Sequence, residues 1–237
     1  MHRLLAVTVA AVVTSSAVQA QLPSVQQVYD RYATAVGGRA AWEKISARSD
    51  KGTVDISFAG ISGAYERHVA KERMRMIMDL GMGKVDQGFD GTIGWASQPM
   101  GGAQKMPAEQ IAETKESTQM GASQFDVSRF SKATVDGKEM FEGADCYKLT
   151  VTSKTGQERT EFFDVATGLR RGVRVKTPAG EQQQTFDDYK EVAGVKVAMK
   201  QRIGTPQGDI IITLTSVTFG AQDAATYEAP AEVKALP

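Results

Sequence analysis

The sequence is poor in the residues from which reactive centres are built. Among 237 residues there is one cysteine, Cys146, so no internal disulfide can form and no thiolate set exists for a metal. There are two histidines, His2 and His68. Zinc needs three or four His, Cys or carboxylate ligands at suitable spacing, and no such set is present. No Asp-rich loop matches the oxygen cage of calcium. Asparagine is absent, which excludes N-glycosylation sequons and leaves tight turns to Gly, Asp and Pro. Neither sign of charge dominates: 28 Lys and Arg stand against 28 Asp and Glu, with no basic block, which argues against a nucleic-acid partner. Beyond residue 20 no apolar run approaches the roughly 18 residues of a membrane-spanning helix. No cofactor is implied.

What is present begins with MHRLLAVTVAAVVTSSAVQA, residues 1–20. A short basic start, an apolar run and the small-residue end Val18-Gln19-Ala20 predict a cleavable secretory signal peptide. The remainder is expected to be exported and soluble, with near-equal charge. Its length suits one domain, residues 21–230. The Pro/Ala-rich end, 231–237, is expected to be a flexible tail.

Residues 24–36, SVQQVYDRYATAV, place Val25, Val28, Tyr29, Tyr32 and Val36 on one helical stripe, with Ser24 as N-cap and Gly37-Gly38 as a stop. Residues 39–45 predict a second short helix carrying Trp42. From residue 51 the period changes to two, the signature of strands. Strands are expected at 52–58, 64–70, 72–80, 83–89 and 92–97, the last two joined across Asp90-Gly91. Pro107 opens a sparse amphipathic helix at 107–120, expected as a lid or surface helix. A second meander follows from residue 132, with turns at Asp136-Gly137, 166–168 and 193–194. Two similar turns, 177–181 and 205–209, each combine Pro and Gly.

The whole reads helix, meander, helix, meander: α+β, mainly β, with about eleven antiparallel strands. A sheet of that size must curl, close or be covered on one face.

Met74, Met76 and Met78 alternate in the third strand, a soft and adaptable apolar face. With Phe89, Trp95, Phe58 and Trp42 they form the candidate wall of an apolar cavity. The same periodicity suits a filled core equally well.

The order of VGGRAAWEKI, GTVDISFAG, FDGTIGW, GADCYKLTV, TEFFDVATGLRRG and DYKEVAGVKVAMK resembles the outer-membrane lipoprotein-sorting (LolA/LolB-like) family. The resemblance covers residues 25–230 and rests on turns and strand starts. It implies an incomplete, curved antiparallel β-barrel, a half-barrel whose concave apolar face is covered by helices. It also implies a periplasmic binding or carrier role, with a lipid or a lipoprotein acyl chain as ligand. The alternative is a non-catalytic envelope module that binds a protein partner.

Catalytic readings are weaker. His68 lacks a visible partner for hydrolase chemistry, and the Gly-Ile-Ser-Gly run at 60–63 is not a nucleophile elbow. Asp187 and Asp188 are strand neighbours and point to opposite faces, and they and the pair Glu161 with Asp164 read as solvated strand or turn carboxylates. Cys146 reads as a small buried hydrophobe.

Overall fold

A computed structural model describes residues 21–177 and 180–236. Residues 1–20, where a signal peptide is expected, and the middle of the 177–181 turn lie outside the described residues.

The chain enters through helix α1 (Val25–Ala35). Its start is a capping box: the Ser24 hydroxyl accepts from the Gln27 amide at 3.2 Å, and the Ser24 amide donates to Gln27 Oε1 at 2.7 Å. Val28 and Tyr29 are buried on the predicted stripe. Replacing Ser24 with alanine is expected to cost about 1 kcal/mol in denaturant unfolding, because it orphans a helix-start donor. The one-turn helix α2 (Arg39–Trp42) follows.

The first meander is β1 (Ala47–Ile56), β2 (Ile61–Ala70), β3 (Arg73–Asp79), β4 (Lys84–Phe89), β5 (Gly94–Gln98) and β6 (Gly102–Lys105). Helix α3 (Ala108–Ser117) and two short 3-10 turns, Gly121–Phe125 and Val127–Arg129, lead to the second. That meander is β7 (Phe130–Phe141), β8 (Ala144–Ser153), β9 (Glu158–Asp164), β10 (Arg170–Thr177), β11 (Gly180–Val192), β12 (Val195–Thr205) and β13 (Gly208–Phe219). A last helical turn, α4 (Ala231–Lys234), ends the described chain.

All thirteen strands form one antiparallel sheet in the order β6-β5-β4-β3-β2-β1-β13-β12-β11-β10-β9-β8-β7. It is curved and does not close into a barrel. Every neighbour is a hairpin partner except β1 and β13, whose pairing joins the two meanders. The edge strand β6 is tied to the chain end, with Lys105 Nζ donating to the Leu236 carbonyl at 2.6 Å.

The sheet has thirteen strands where about eleven are expected, and two boundaries differ from the sequence reading for local reasons. Residues 102–105 pair with β5 although Gly102 and Gln104 give no apolar alternation. The Asp136-Gly137 pair makes no hairpin: β7 runs straight through it with a register shift between Val135 and Gly137. An Asp-Gly pair serves a bulge as readily as a turn, since both need a positive φ at glycine.

Residues 231–236 are not a loose tail. Val233 is fully buried and packs with Ala229 against Trp95. This contact lies on the convex side of the sheet. Register places Trp95 opposite Gly88, on the same face as Arg75 and Asp86. The indole lies so close to Gly88 that a Cβ there would sit 2.2 Å from a ring carbon. Its Nε1 donates to Asp86 at 3.1 Å, and Arg75 clasps the same carboxylate from two nitrogens at 3.2 and 2.6 Å.

Candidate functional site

The concave face holds a cavity of about 610 Å³. Its floor comes from alternate residues of the central strands. Register puts Val173 and Val175 of β10, Gln184 and Phe186 of β11, Gln201 and Ile203 of β12, and Ile212 of β13 on one face. Beyond β1 the same face continues through Tyr65 and Arg67 of β2 to Met76 of β3. Tyr29 and Tyr32 of α1 and Trp42 of α2 wall one side, and Glu113 and Glu116 of α3 line another.

Aromatic packing fixes the helical wall. Tyr29 meets Phe163 at 5.2 Å and Phe130 at 5.9 Å, and Tyr32 meets Phe125 at 5.6 Å between ring centres. Trp42 donates its Nε1–H to the Val36 carbonyl at 3.0 Å and stands edge-on to Phe125 and Phe219. These contacts anchor a polar tip on an apolar body, the usual use of buried Tyr and Trp.

Of the seven predicted wall residues, Trp42 and Met76 line this cavity. Met78 packs against the adjoining core, and Met74 pairs with Phe89 farther along the same face. Phe89 is fully buried, with Lys115 of α3 5.3 Å above its ring. Two residues lie elsewhere. Phe58 sits in a 3-10 turn, Ser57–Ala59, and is half exposed, because the chain leaves strand geometry at Ser57 and no alternation holds the ring inward. Trp95 is on the convex face, one residue out of phase with Gly94, which shares a face with Phe89. Alternation sets opposite faces within a strand, but the hairpin register sets which face a neighbour shares.

The cavity is more polar than an apolar wall. Five arginines line it: Arg48, Arg67, Arg129, Arg159 and Arg170. Three of them surround Glu161, which is 0 % exposed. Arg159 Nε donates to Glu161 Oε1 at 2.8 Å, and Arg170 Nη1 stands 3.9 Å from the same oxygen. The Tyr29 hydroxyl donates to Oε2 in a short hydrogen bond. Burial by itself would raise the Glu161 pKa. The charges of Arg159 and Arg170, the Tyr29 bond and Arg129 outweigh it and hold the carboxyl at about 2. Burial raises Tyr29 well above the ordinary phenol value, and the adjacent Glu161 carboxylate adds to it. On the opposite wall Arg48 Nε pairs with the buried Asp50 at 2.6 Å.

Glu161 therefore corrects the expectation of a solvated carboxylate. It shares the inward face with Arg159 and Val173, while Asp164 caps a turn by accepting from the Ala166 and Thr167 amides at 2.8 Å. The alternation Arg159-Thr160-Glu161 held a signal for this cluster, since i and i+2 share a face. Arg170 comes from the neighbouring strand β10, and Tyr29 and Arg129 come from elements more than 30 positions from Glu161.

His68 Nδ1 lies 2.9 Å from the Ser49 hydroxyl. The pair faces away from the cavity, beside Arg75 on the convex side, and among the described residues no carboxylate is bonded to the ring. Cys146 is buried beside Phe141 and Phe162, and burial, then Asp164, pushes its thiol up to about 11. Such a thiol stays protonated at neutral pH and is a poor nucleophile. Among the described residues no group of three metal-ligating side chains is present. Nor does any described helix have the length and apolarity to cross a membrane.

No protein-family profile matches the sequence, and neither does any curated protein sequence. Solved structures do match. A LolA superfamily protein from Nitrosomonas europaea aligns over 88% of this chain and 99% of its own, with a TM-score of 0.55 at 8% identity. The fold is LolA-like. A domain named for outer-membrane lipoprotein sorting, from Vibrio parahaemolyticus, aligns over 82% of this chain and 91% of its own, at TM-score 0.52 and 12% identity. A DUF1329-family protein from Desulfovibrio piger aligns over 86% of this chain and 97% of its own, at TM-score 0.57 and 13% identity. Identities this low carry the LolA-like fold and leave the ligand to be argued from the site.

Proposed function

We propose that this protein is a non-catalytic, periplasmic carrier that holds a lipid or a lipoprotein acyl chain in the concave cavity. The observation that carries the reading is the cavity itself. At about 610 Å³ it falls within the ~300–1,000 Å³ range of ligand sites, in an interior that a small domain would otherwise fill. Val173, Phe186, Ile203, Ile212 and Met76 provide an apolar track across the sheet from β10 to β3. Burying hydrocarbon there is worth ~25 cal/mol per Å² of apolar surface. The adaptable Met76 thioether suits chains of varied length. The LolA-like fold supports the same assignment. The sealed Cys146 and the outward Ser49–His68 pair bring no nucleophile to the cavity.

Organic extraction of natively purified protein is expected to release acyl species at about one equivalent. Met76→Trp, which puts an indole into the track, is expected to cut that yield several-fold with little loss of melting temperature. Protein that comes out lipid-free and binds no added fatty-acid probe would sink the assignment.

A further inference from the structure

The buried arginine cluster holds far more hydrogen-bond donors than the fold consumes. A guanidinium carries five N–H donors in a planar fork. Arg159 engages one, to Glu161 at 2.8 Å. Arg129 engages one, to the Gln124 carbonyl at a long 3.3 Å. Among the described residues Arg170 makes no side-chain hydrogen bond, since its 3.9 Å approach to Glu161 is too long for one. The Nε atoms of Arg129 and Arg170 are buried without a partner.

Besides the shared Glu161 counter-charge, ring contacts hold the three in place. Arg129 and Arg159 both lie against Phe130, at 4.7 and 5.3 Å from its centre. Arg170 lies between Phe186 at 4.7 Å and Tyr32 at 5.8 Å. Cation–π contacts hold a guanidinium in position and leave its in-plane N–H groups free. Glu161 is the carboxylate that acts on all three. Two positive charges are left in excess, on side chains no more than about a third exposed at Arg159 and Arg170. A partly buried charge without a counter-ion is costly, so a site built this way favours an incoming anion.

The cluster also has a place on the ligand track. Arg159 is on β9 and Arg170 opens β10, at the end where Val173, Phe186, Ile203 and Ile212 begin. Two polar pairs along that track are already engaged: Gln184 donates to Gln201 at 2.9 Å, and Arg48 is paired with Asp50. Arg67 stands at the far wall, beside Met76.

We propose that Arg129, Arg159 and Arg170 form an anion subsite that receives the carboxylate or phosphate head group of an acyl-chain ligand. This rests on the reading of the cavity as a lipid site, and it adds that the ligand is an anionic amphiphile bound head to β9 and tail toward β3. Glu161 is a positioning residue that orients Arg159, and the Tyr29 hydroxyl holds Glu161 in turn.

The test compares oleate with oleyl alcohol, which share one hydrocarbon chain, by calorimetric titration of delipidated full-length protein. Oleate is expected to bind about tenfold to a hundredfold tighter, the worth of a charge-assisted hydrogen bond or two. Arg129→Gln and Arg170→Gln, each verified as folded by its melt, are expected to bring oleate down to the alcohol while leaving the alcohol unchanged. Arg67→Gln is expected to preserve the preference. Equal binding of the two probes by the parent protein would overturn the anion subsite and leave the lipid cavity standing. Binding of neither would overturn both. Loss of preference in Arg67→Gln alone would move the head group to the wrong wall for this proposal. Inorganic phosphate that displaces neither probe supports an amphiphile. Binding of phosphate as tightly as oleate would instead identify a free-anion site.

Discussion

Glu161→Gln is expected to destabilise the folded protein by about 3–5 kcal/mol at neutral pH, the cost of breaking a buried ion pair from one side. The substitution keeps the shape but removes the one charge that Arg159, Arg170 and Arg129 share. It also leaves the Tyr29 hydroxyl with a neutral acceptor in place of a carboxylate. Urea unfolding of parent and variant at pH 7 measures the difference. A change within about 1 kcal/mol would mean that the arginines reach solvent easily and that the cluster is not a buried network.

The same carboxylate makes stability depend on acid. Its folded pKa, about 2, lies below the ordinary 4.5. The stabilisation is therefore complete above the unfolded value and disappears as pH falls through the folded one. The expected loss is about 3 kcal/mol between pH 5 and pH 2. Because Glu161→Gln cannot titrate at that position, the parent and the variant should converge in stability as pH approaches 2. Parallel pH profiles across that interval would assign the acid sensitivity to other carboxylates.

The second large effect is expected at Gly52, where the two meanders are stitched together. The β1–β13 pairing shifts register between Lys51 and Gly52, so the strands bulge there. A Cβ on Gly52 would stand 2.1 Å from the Thr213 carbonyl oxygen and 2.8 Å from the Leu214 Cα. Both neighbours are backbone and cannot rotate away. Gly52→Ala is expected to cost about 3 kcal/mol, the upper range for forced overpacking, and to flatten the bulge or part the strands. Denaturant unfolding reads the cost, and hydrogen exchange should show faster opening of β1 and β13 than of the β7–β8 hairpin. Uniform exchange with unchanged stability would show that the sheet can shift to admit the methyl group.

The fold was legible because most of its determinants are local. The α1 stripe and the Ser24 cap are within one helix, and the hairpin at Asp90-Gly91 is closed by four neighbouring residues. The site was legible only in part. Met76 and Trp42 could be nominated from apolar alternation and helical position, and both line the cavity. Trp95 has the same local signature as Phe89, yet the two face opposite sides of the sheet, since the hairpin sets Phe89 against Gly94 and leaves the indole opposite Gly88. Asp136-Gly137 shows the converse failure, a turn signal absorbed into a bulge because β8 continues to pair on both sides of it.

By itself the sequence determined that the chain has two antiparallel meanders preceded and divided by short helices, with no disulfide and no metal set. Period-two alternation, Gly-bearing turns and helix caps act over a few residues, so each can be read where it stands. Tertiary structure alone decided which face is concave and that the chain end seals Trp95 from the other side. It alone brought Tyr29, Arg129, Arg159, Glu161 and Arg170 together. The physical reason is that a strand's pattern separates two faces without saying which will be covered. A buried charge becomes tolerable only through partners that folding delivers from distant positions.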